Sequence, residues 1–232
     1  MKRISILGST GSVGSQTIEL IKDYYSDAFK VQTLSCNNNF ELLLKQAEYV
    51  KTKNLVAANQ NSFNNLKKEL KYQDINVILS KTLPEDLLYN NDLIIIATVG
   101  LDALKSLHLA IKNNIKVATS NKEIIICGGK IIKEYRKNII PLDSEHHAIS
   151  ELLKGKEEKH IKEIILTATG GPFFRKGKKN VSVEDALNHP VWKMGKKNSI
   201  DSATMMNKVL EVIEAHYLFN IDKKHIKILI HP

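Results

Sequence analysis

Only two cysteines, Cys36 and Cys127, occur in 232 residues. Thiols so far apart in the chain make neither a disulfide framework nor a zinc site, and they fit a reducing compartment. Cys127 precedes Gly128-Gly129 in an apolar stretch, where a buried structural thiol is expected rather than a nucleophile. Long apolar runs are also missing: residues 93–100 are a typical maximum, against the roughly 18 residues a membrane helix needs. The chain starts directly in a strand-like segment, without a signal-peptide order of basic, apolar and small residues. A cytoplasmic protein with no membrane partner is the expectation. Aromatics are scarce at 6%, and the lysines come in scattered pairs such as Lys67-Lys68 and Lys178-Lys179 with no interleaved aromatics. The net charge of +9, from 34 Lys+Arg against 25 Asp+Glu, therefore suits phosphorylated small ligands and argues against nucleic acid.

What is present is 43% hydrophobic and 25% charged residues, the profile of a globular protein with a sizeable core. Short apolar runs rich in β-branched residues lie at 3–7, 31–35, 54–58, 76–80, 93–97, 115–119 and 139–142. Helical patterns separate them at 13–22, 40–51, 62–71, 101–112 and 124–135. This alternation predicts a Rossmann-like, doubly wound parallel sheet in an α/β protein. The rhythm changes after Leu142, so the expected domains are 1–142 and 143–232. The second part reads as α+β: a helix at 144–153, a strand at 161–168, a long loop, a helix from Ser202 to residue 219, and a strand at 226–230. The chain stops at His231-Pro232 just after that strand, which suggests an unfinished sheet and an exposed edge.

Four segments carry chemistry. Gly8-Ser9-Thr10-Gly11-Ser12-Val13-Gly14 follows a strand and opens a helix, so its backbone amides can approach a pyrophosphate; the lack of a closing Gly-Lys-Ser/Thr excludes a P-loop. At the end of the second strand stand Asn37-Asn38-Asn39, where an NAD site usually has an acid; its absence leaves room for the extra phosphate of NADP. Asn121-Lys122-Glu123 and Asp143-Ser144-Glu145 also follow strands, and either could simply begin a helix. In the last segment Ser202 can cap a helix on which Asn207, Lys208 and Glu211 share one face, a set suited to a phosphate and a metal or proton. An amphipathic helix with a solvated polar face would look the same.

Together with Thr169-Gly170-Gly171-Pro172-Phe173 and His189-Pro190-Val191-Trp192, these motifs resemble the 1-deoxy-D-xylulose 5-phosphate reductoisomerases, in order from Lys2 to Pro232. The resemblance implies a C-terminally truncated member that lacks the family's C-terminal helical domain. It implies an NADP-dependent oxidoreductase that rearranges and reduces a phosphorylated sugar, with NADPH and Mg²⁺ or Mn²⁺ as cofactors, and a homodimer in the full-length family. Implied at the cofactor are Gly8, Thr10, Gly11, Ser12, Val13, Asn37, Asn38, Asn39, Asn121, Glu123 and Gly195. Asp143, Glu145 and Glu211 are implied metal ligands. Substrate contacts fall to Lys122, Ser144, Glu145, Thr169, His189, Trp192, Ser202, Asn207, Lys208 and Glu211, with Lys122, Glu145 and His189 in catalytic roles. Many members of the family have Gly-Lys-Asn where this chain has Asn37-Asn38-Asn39. The alternatives are an inactive nucleotide-binding fragment of that enzyme and an oxidoreductase of the semialdehyde dehydrogenase type, which needs a catalytic cysteine.

Overall fold

The computed structural model describes residues 1–174, 181–187 and 195–231. The chain divides into two compact units, Met1–Asp143 and Ser144–Pro232, a division that falls after Asp143 rather than after Leu142.

The first unit runs β1 (Lys2–Leu7), α1 (Ser12–Tyr24), β2 (Phe29–Cys36), α2 (Phe40–Val50), β3 (Asn54–Ala57), α3 (Gln60–Glu69), β4 (Asn76–Leu79), α4 (Glu85–Leu88), β5 (Leu93–Ile96), α5 (Leu104–Lys112), β6 (Lys116–Thr119), α6 (Lys122–Tyr135) and β7 (Ile139–Pro141). Its strands form one parallel sheet in the order β4-β3-β2-β1-β5-β6-β7. Ile4, Ile6, Leu34, Leu55, Ile94 and Ile96 are buried on it, because helices cover both faces, and this is why the strands read as continuous apolar runs rather than alternating ones. Strand β1 pairs with β2 on one side and β5 on the other. The winding direction reverses there, and the carboxyl ends of β1, β2 and β5 border the crevice where open α/β sheets take ligands.

Asparagine starts three of the helices. The side chains of Asn39, Asn59 and Asn121 accept hydrogen bonds from the Leu42, Ser62 and Ile124 amides at 3.1, 2.9 and 3.1 Å, each satisfying a donor the first turn leaves open. Helix α4, a single turn, was not expected; four residues are too few to show a periodicity.

The second unit comprises α7 (Ser144–Leu153), β8 (Ile164–Ala168), α8 (Val183–Leu187), α9 (Lys196–Ala203), α10 (Met206–Phe219) and β9 (Ile226–Ile230). β8 and β9 pair in parallel, and Ile149, Ile164, Leu166, Ala215, Ile221 and Ile226 form the core. Two expectations are corrected. The strand begins at Ile164, not at residue 161. The single helix from Ser202 is two helices: Ser202 lies inside α9, and α10 starts only at Met206. The break is Met205 at φ +61°, a left-handed conformation that costs a non-glycine residue about 1–2 kcal/mol and cannot continue a right-handed helix. The expected long loop before it accordingly holds α8 and the start of α9. Among the described residues no helix is long and apolar enough to cross a membrane.

Candidate active site

The glycine turn of the first unit is built by steric necessity. Gly8 has φ +78°, and a Cβ on it would lie 2.9 Å from the Ala97 carbonyl oxygen. A Cβ on Gly14 would sit 2.3 Å from the Gly8 oxygen and 2.5 Å from Ser9 Cα, so α1 can begin against the turn only with a hydrogen there. The turn is held from outside. The Gly8 amide donates to Ser35 Oγ at 2.9 Å, the Ser9 amide to the Ser35 oxygen at 2.9 Å, and Gln46 Nε2 to the Ser9 oxygen at 2.8 Å. Gly11 caps α1 without a side chain, and no acid stands in the first turn. The open backbone amides and the positive end of the helix dipole therefore suit an anion.

Above the carboxyl ends of the strands lies a cleft of about 610 Å³ bordered by Gly8, Thr10, Gly11 and Asn37–Asn39. The asparagines are organised by α3: Asn59 Nδ2 donates to the Asn37 main-chain oxygen and, at 3.0 Å each, to Asn37 Oδ1 and Asn38 Oδ1. Asn39 is spent on capping α2. Cys36 also lines the cleft, and burial pushes its thiol up to about 11, so it is neutral near pH 7 and a poor nucleophile. Cys127 is exposed, against the expected buried thiol, because it falls on the outer side of α6 while Ile124, Ile125 and Gly128 take the inner one.

At the carboxyl end of β6, Asn121 is pinned at both ends of its amide: Oδ1 caps α6, and Nδ2 donates to the Gly100 oxygen at 2.9 Å. The next residue, Lys122, is buried and pairs with Asp143 at 2.9 Å. Glu123 occupies the first turn of α6, where a carboxylate complements the dipole.

In the second unit the carboxylates gather around a lysine. Lys208 Nζ, with its side chain 6% exposed, donates to Glu145 Oε1 at 2.8 Å, to the Thr167 oxygen at 2.5 Å, and to Glu211 Oε2. Asn207 Nδ2 donates to the other Glu211 oxygen, and Ser144 Oγ to Glu145 Oε2 at 2.6 Å. Helical spacing explains the first part: residues three and four apart share a face, so Asn207 and Lys208 both reach Glu211. Glu145 and Glu211 offer carboxylate oxygens within 4.8 Å of each other. A buried ammonium bridges them, and all-oxygen donors of this kind suit Mg²⁺ or Mn²⁺.

Two models of known families match. The model described as 1-deoxy-D-xylulose 5-phosphate reductoisomerase covers residues 4–129, and that described as the C-terminal domain of the same enzyme covers residues 139–219. The chain belongs to the 1-deoxy-D-xylulose 5-phosphate reductoisomerase family. It is 42% identical to the reductoisomerase of Wolbachia pipientis wMel, covering all of this chain and 61% of that protein. It is 43% identical to that of Sulfurihydrogenibium sp. (strain YO3AOP1), with the same coverage. Among solved structures it superposes with TM-score 0.86 on a DOX-P reductoisomerase in complex with NADPH, fosmidomycin and magnesium, at 32% identity over 100% of this chain and 62% of that one. The Zymomonas mobilis reductoisomerase in complex with NADPH gives the same TM-score at 34% identity. The chain thus spans about three-fifths of the length of the curated relatives it matches.

Set against the reductoisomerase motifs, the expected residues fall into groups. Gly8, Thr10, Gly11 and the three asparagines line one cleft, while Ser12 and Val13 form the first turn of α1 and are not among its lining residues. Ser144, Glu145, Asn207, Lys208 and Glu211 share one hydrogen-bonded cluster. Ser202 does not cap a helix; its carbonyl oxygen would lie 2.7 Å from a Cβ on Gly171, so Gly171 exists to let the chain pass the end of α9. Thr169 Oγ1 accepts from the Gly171 amide at 3.4 Å. Gly195 is the exposed residue before α9. His189 and Trp192 lie outside the described residues.

Three supports escaped the sequence reading. Ser35 and Gln46 shape the glycine turn but belong to no motif. His146 is fully buried: its Nε2 bonds the Glu211 carbonyl oxygen at 2.9 Å, its Nδ1 lies 3.5 Å from Glu214 Oε2, and its ring stacks on Phe219. A carbonyl only accepts, so Nε2 carries hydrogen, and the imidazole ties α7 to the turn of α10 that presents Glu211. The adjacent pair His146-His147 does not say which ring points inward; only the partner helix does.

Proposed function

We propose that this chain carries the NADPH-binding, metal-binding and substrate-binding residues for conversion of 1-deoxy-D-xylulose 5-phosphate to 2-C-methyl-D-erythritol 4-phosphate. The observation that carries the reading is the Glu145–Lys208–Glu211 cluster, in which the buried Lys208 and Glu211 pair with each other and with the partly exposed Glu145. Family membership and the glycine-turn cleft support the cofactor half.

NADPH would supply the hydride, and the divalent cation would supply Lewis-acid polarisation of the substrate's oxygens. In this reading residues 1–142 bind the cofactor and residues 143–232 bind metal and substrate. The Ser12 and Val13 backbone amides at the start of α1 would approach the pyrophosphate, which the α1 dipole favours, while the Gly11 amide is engaged by the Gly8 oxygen. Glu145 and Glu211 would hold the metal, with Asp143, two residues before Glu145 along the chain, as the third expected ligand. Lys208, which holds Glu145 and Glu211 by hydrogen bonds, would offer its ammonium to the anionic substrate. Ser202, Asn207, Lys208, Thr169 and His189 would hold the phosphate end, with Ser144 also on the substrate, anchoring a remote group so that the reacting carbons are oriented. Lys122, ion-paired with Asp143, would hold or move a proton at a substrate oxygen. His189 and Trp192, outside the described residues, are expected substrate contacts, and Gly195, just before α9, an expected cofactor contact. Among the described residues β9 is an edge of its two-stranded sheet, which fits a sheet that pairs across a homodimer. Two unpaired cysteines fit a cytoplasmic location.

Manganese binding followed by electron paramagnetic resonance tests the metal half. Wild-type chain is expected to bind one Mn²⁺, with affinity falling about 100-fold or more in Glu211→Gln, because even residues supporting a ligand are worth 10- to 100-fold. Equal binding by wild type and Glu211→Gln would contradict the assignment of Glu211.

A further inference from the structure

We propose that Lys81 reads the 2′-phosphate of NADPH in this chain, an assignment that rests on the nicotinamide-nucleotide reading of the glycine-turn cleft. The cleft's edge at β2 offers Asn37, Asn38 and Asn39, three uncharged amides. The amides are also committed. Asn39 caps α2, and the Asn37 and Asn38 oxygens are engaged by Asn59. They can donate to a phosphate, but they cannot neutralise one. Among the described residues that line the cleft, Lys81 is the single cation.

The backbone beneath Lys81 is firm. It occupies the turn that follows β4, where the Ser80 amide donates to the Ala57 oxygen at 2.9 Å. Ser80 Oγ bonds across the turn, donating to the Thr82 oxygen at 2.7 Å and accepting from the Thr82 amide at 3.1 Å. The side chain above that turn is free to move: its ammonium lies 3.9 Å from Asp102 Oδ2, with the two side chains 68% and 62% exposed. An ion pair that open to water is weak. A 2′-phosphate, carrying more than one negative charge and three acceptor oxygens, attracts the ammonium more strongly than a single carboxylate does. Asp102 also lines the cleft, so without Lys81 the only formal charge facing the nucleotide from the described lining would repel it. The flexible four-carbon stem of lysine suits this duty, since it delivers a point charge without needing the planar fork of arginine. The positive charge that the β2 edge lacks is thus supplied from the turn after β4.

Equilibrium binding to the full chain separates the possibilities, using NADPH, NADH, adenosine 2′,5′-bisphosphate and adenosine 5′-monophosphate as probes. Lys81→Met is expected to weaken NADPH and the bisphosphate roughly 10- to 100-fold, the range of a charge-assisted contact, with NADH and the monophosphate unchanged within about twofold. Lys81→Arg should retain the preference, and Asn38→Lys placed on Lys81→Met should restore it. Wild-type preference should also fall with added salt, as befits an exposed charge contact. A Lys81→Met chain with undiminished NADPH-over-NADH preference, or equal losses for all four probes, would overturn the assignment while leaving the cleft reading in place. Wild-type chain that binds none of the four would overturn both.

Discussion

Lys208→Met is expected to lower the unfolding free energy of the chain by about 3–5 kcal/mol, the range for breaking a buried ion pair from one side. The residue is 5% exposed, Glu211 is 1% exposed, and Lys208 also satisfies Glu145 and the Thr167 carbonyl. Methionine fills the space of the stem but leaves two carboxylates and a carbonyl facing an apolar group. Asn207 still donates to Glu211, yet one neutral amide does not offset a buried charge. Removing both charges separates this from a packing defect: Lys208→Met with Glu211→Gln should recover a large part of the loss, because burying two neutral groups costs less than burying one unpaired charge. Urea unfolding of the single and double variants measures both. A single variant within about 1 kcal/mol of wild type would mean that the cluster is open to water and that its lysine is dispensable.

Gly14→Ala is expected to have the next largest effect, and its sign is decided by two opposed magnitudes. Replacing an in-helix glycine by alanine ordinarily gains about 1 kcal/mol from helix propensity. Here the new Cβ would meet the Gly8 carbonyl oxygen at 2.3 Å and Ser9 Cα at 2.5 Å, both backbone atoms that cannot rotate away. Overpacking of that kind costs about 1–3 kcal/mol or more, so the clash wins. The relief would come from moving the glycine turn, which Ser35 and Gln46 hold in place. Lower stability and an NADPH affinity reduced at least about tenfold should therefore appear together, since shifting the amides by a fraction of an ångström misaims every donor at the pyrophosphate. Calorimetric melting and cofactor titration of the variant check this. A Gly14→Ala chain more stable than wild type would show that the turn yields easily.

The first unit was legible because its signals are local. A run such as Leu93-Ile94-Ile95-Ile96 has no polar face to hide, so it reads as a strand covered on both sides. The glycine turn announces itself by position, between such a strand and a helix. Asn37-Asn38-Asn39 shows the limit: three identical residues do not reveal that Asn39 caps α2 while Asn59, 20 positions after Asn39, holds the others. The second unit misled at Ser202. A serine followed by a helical pattern is a good cap signal, but Lys196–Ala203 already forms a helix, and the left-handed Met205 that separates it from α10 has no sequence signature. The face carrying Asn207, Lys208 and Glu211 survived that error because the spacing of three and four depends only on α10 being helical. The role of His146 was invisible, since it depends on a helix 65 residues away.

The central proposal is that residues 1–232, about three-fifths of the relatives' length, carry the residues for metal-dependent reduction of a phosphorylated sugar. Its most direct test is NADPH consumption by the purified chain given 1-deoxy-D-xylulose 5-phosphate, with Mn²⁺ or with a chelator, in wild type and Glu211→Gln. The account predicts turnover that requires the metal, and a loss of about 100-fold or more in Glu211→Gln. Turnover that persists in the chelator, turnover equal in the two chains, or no turnover in wild type would contradict it.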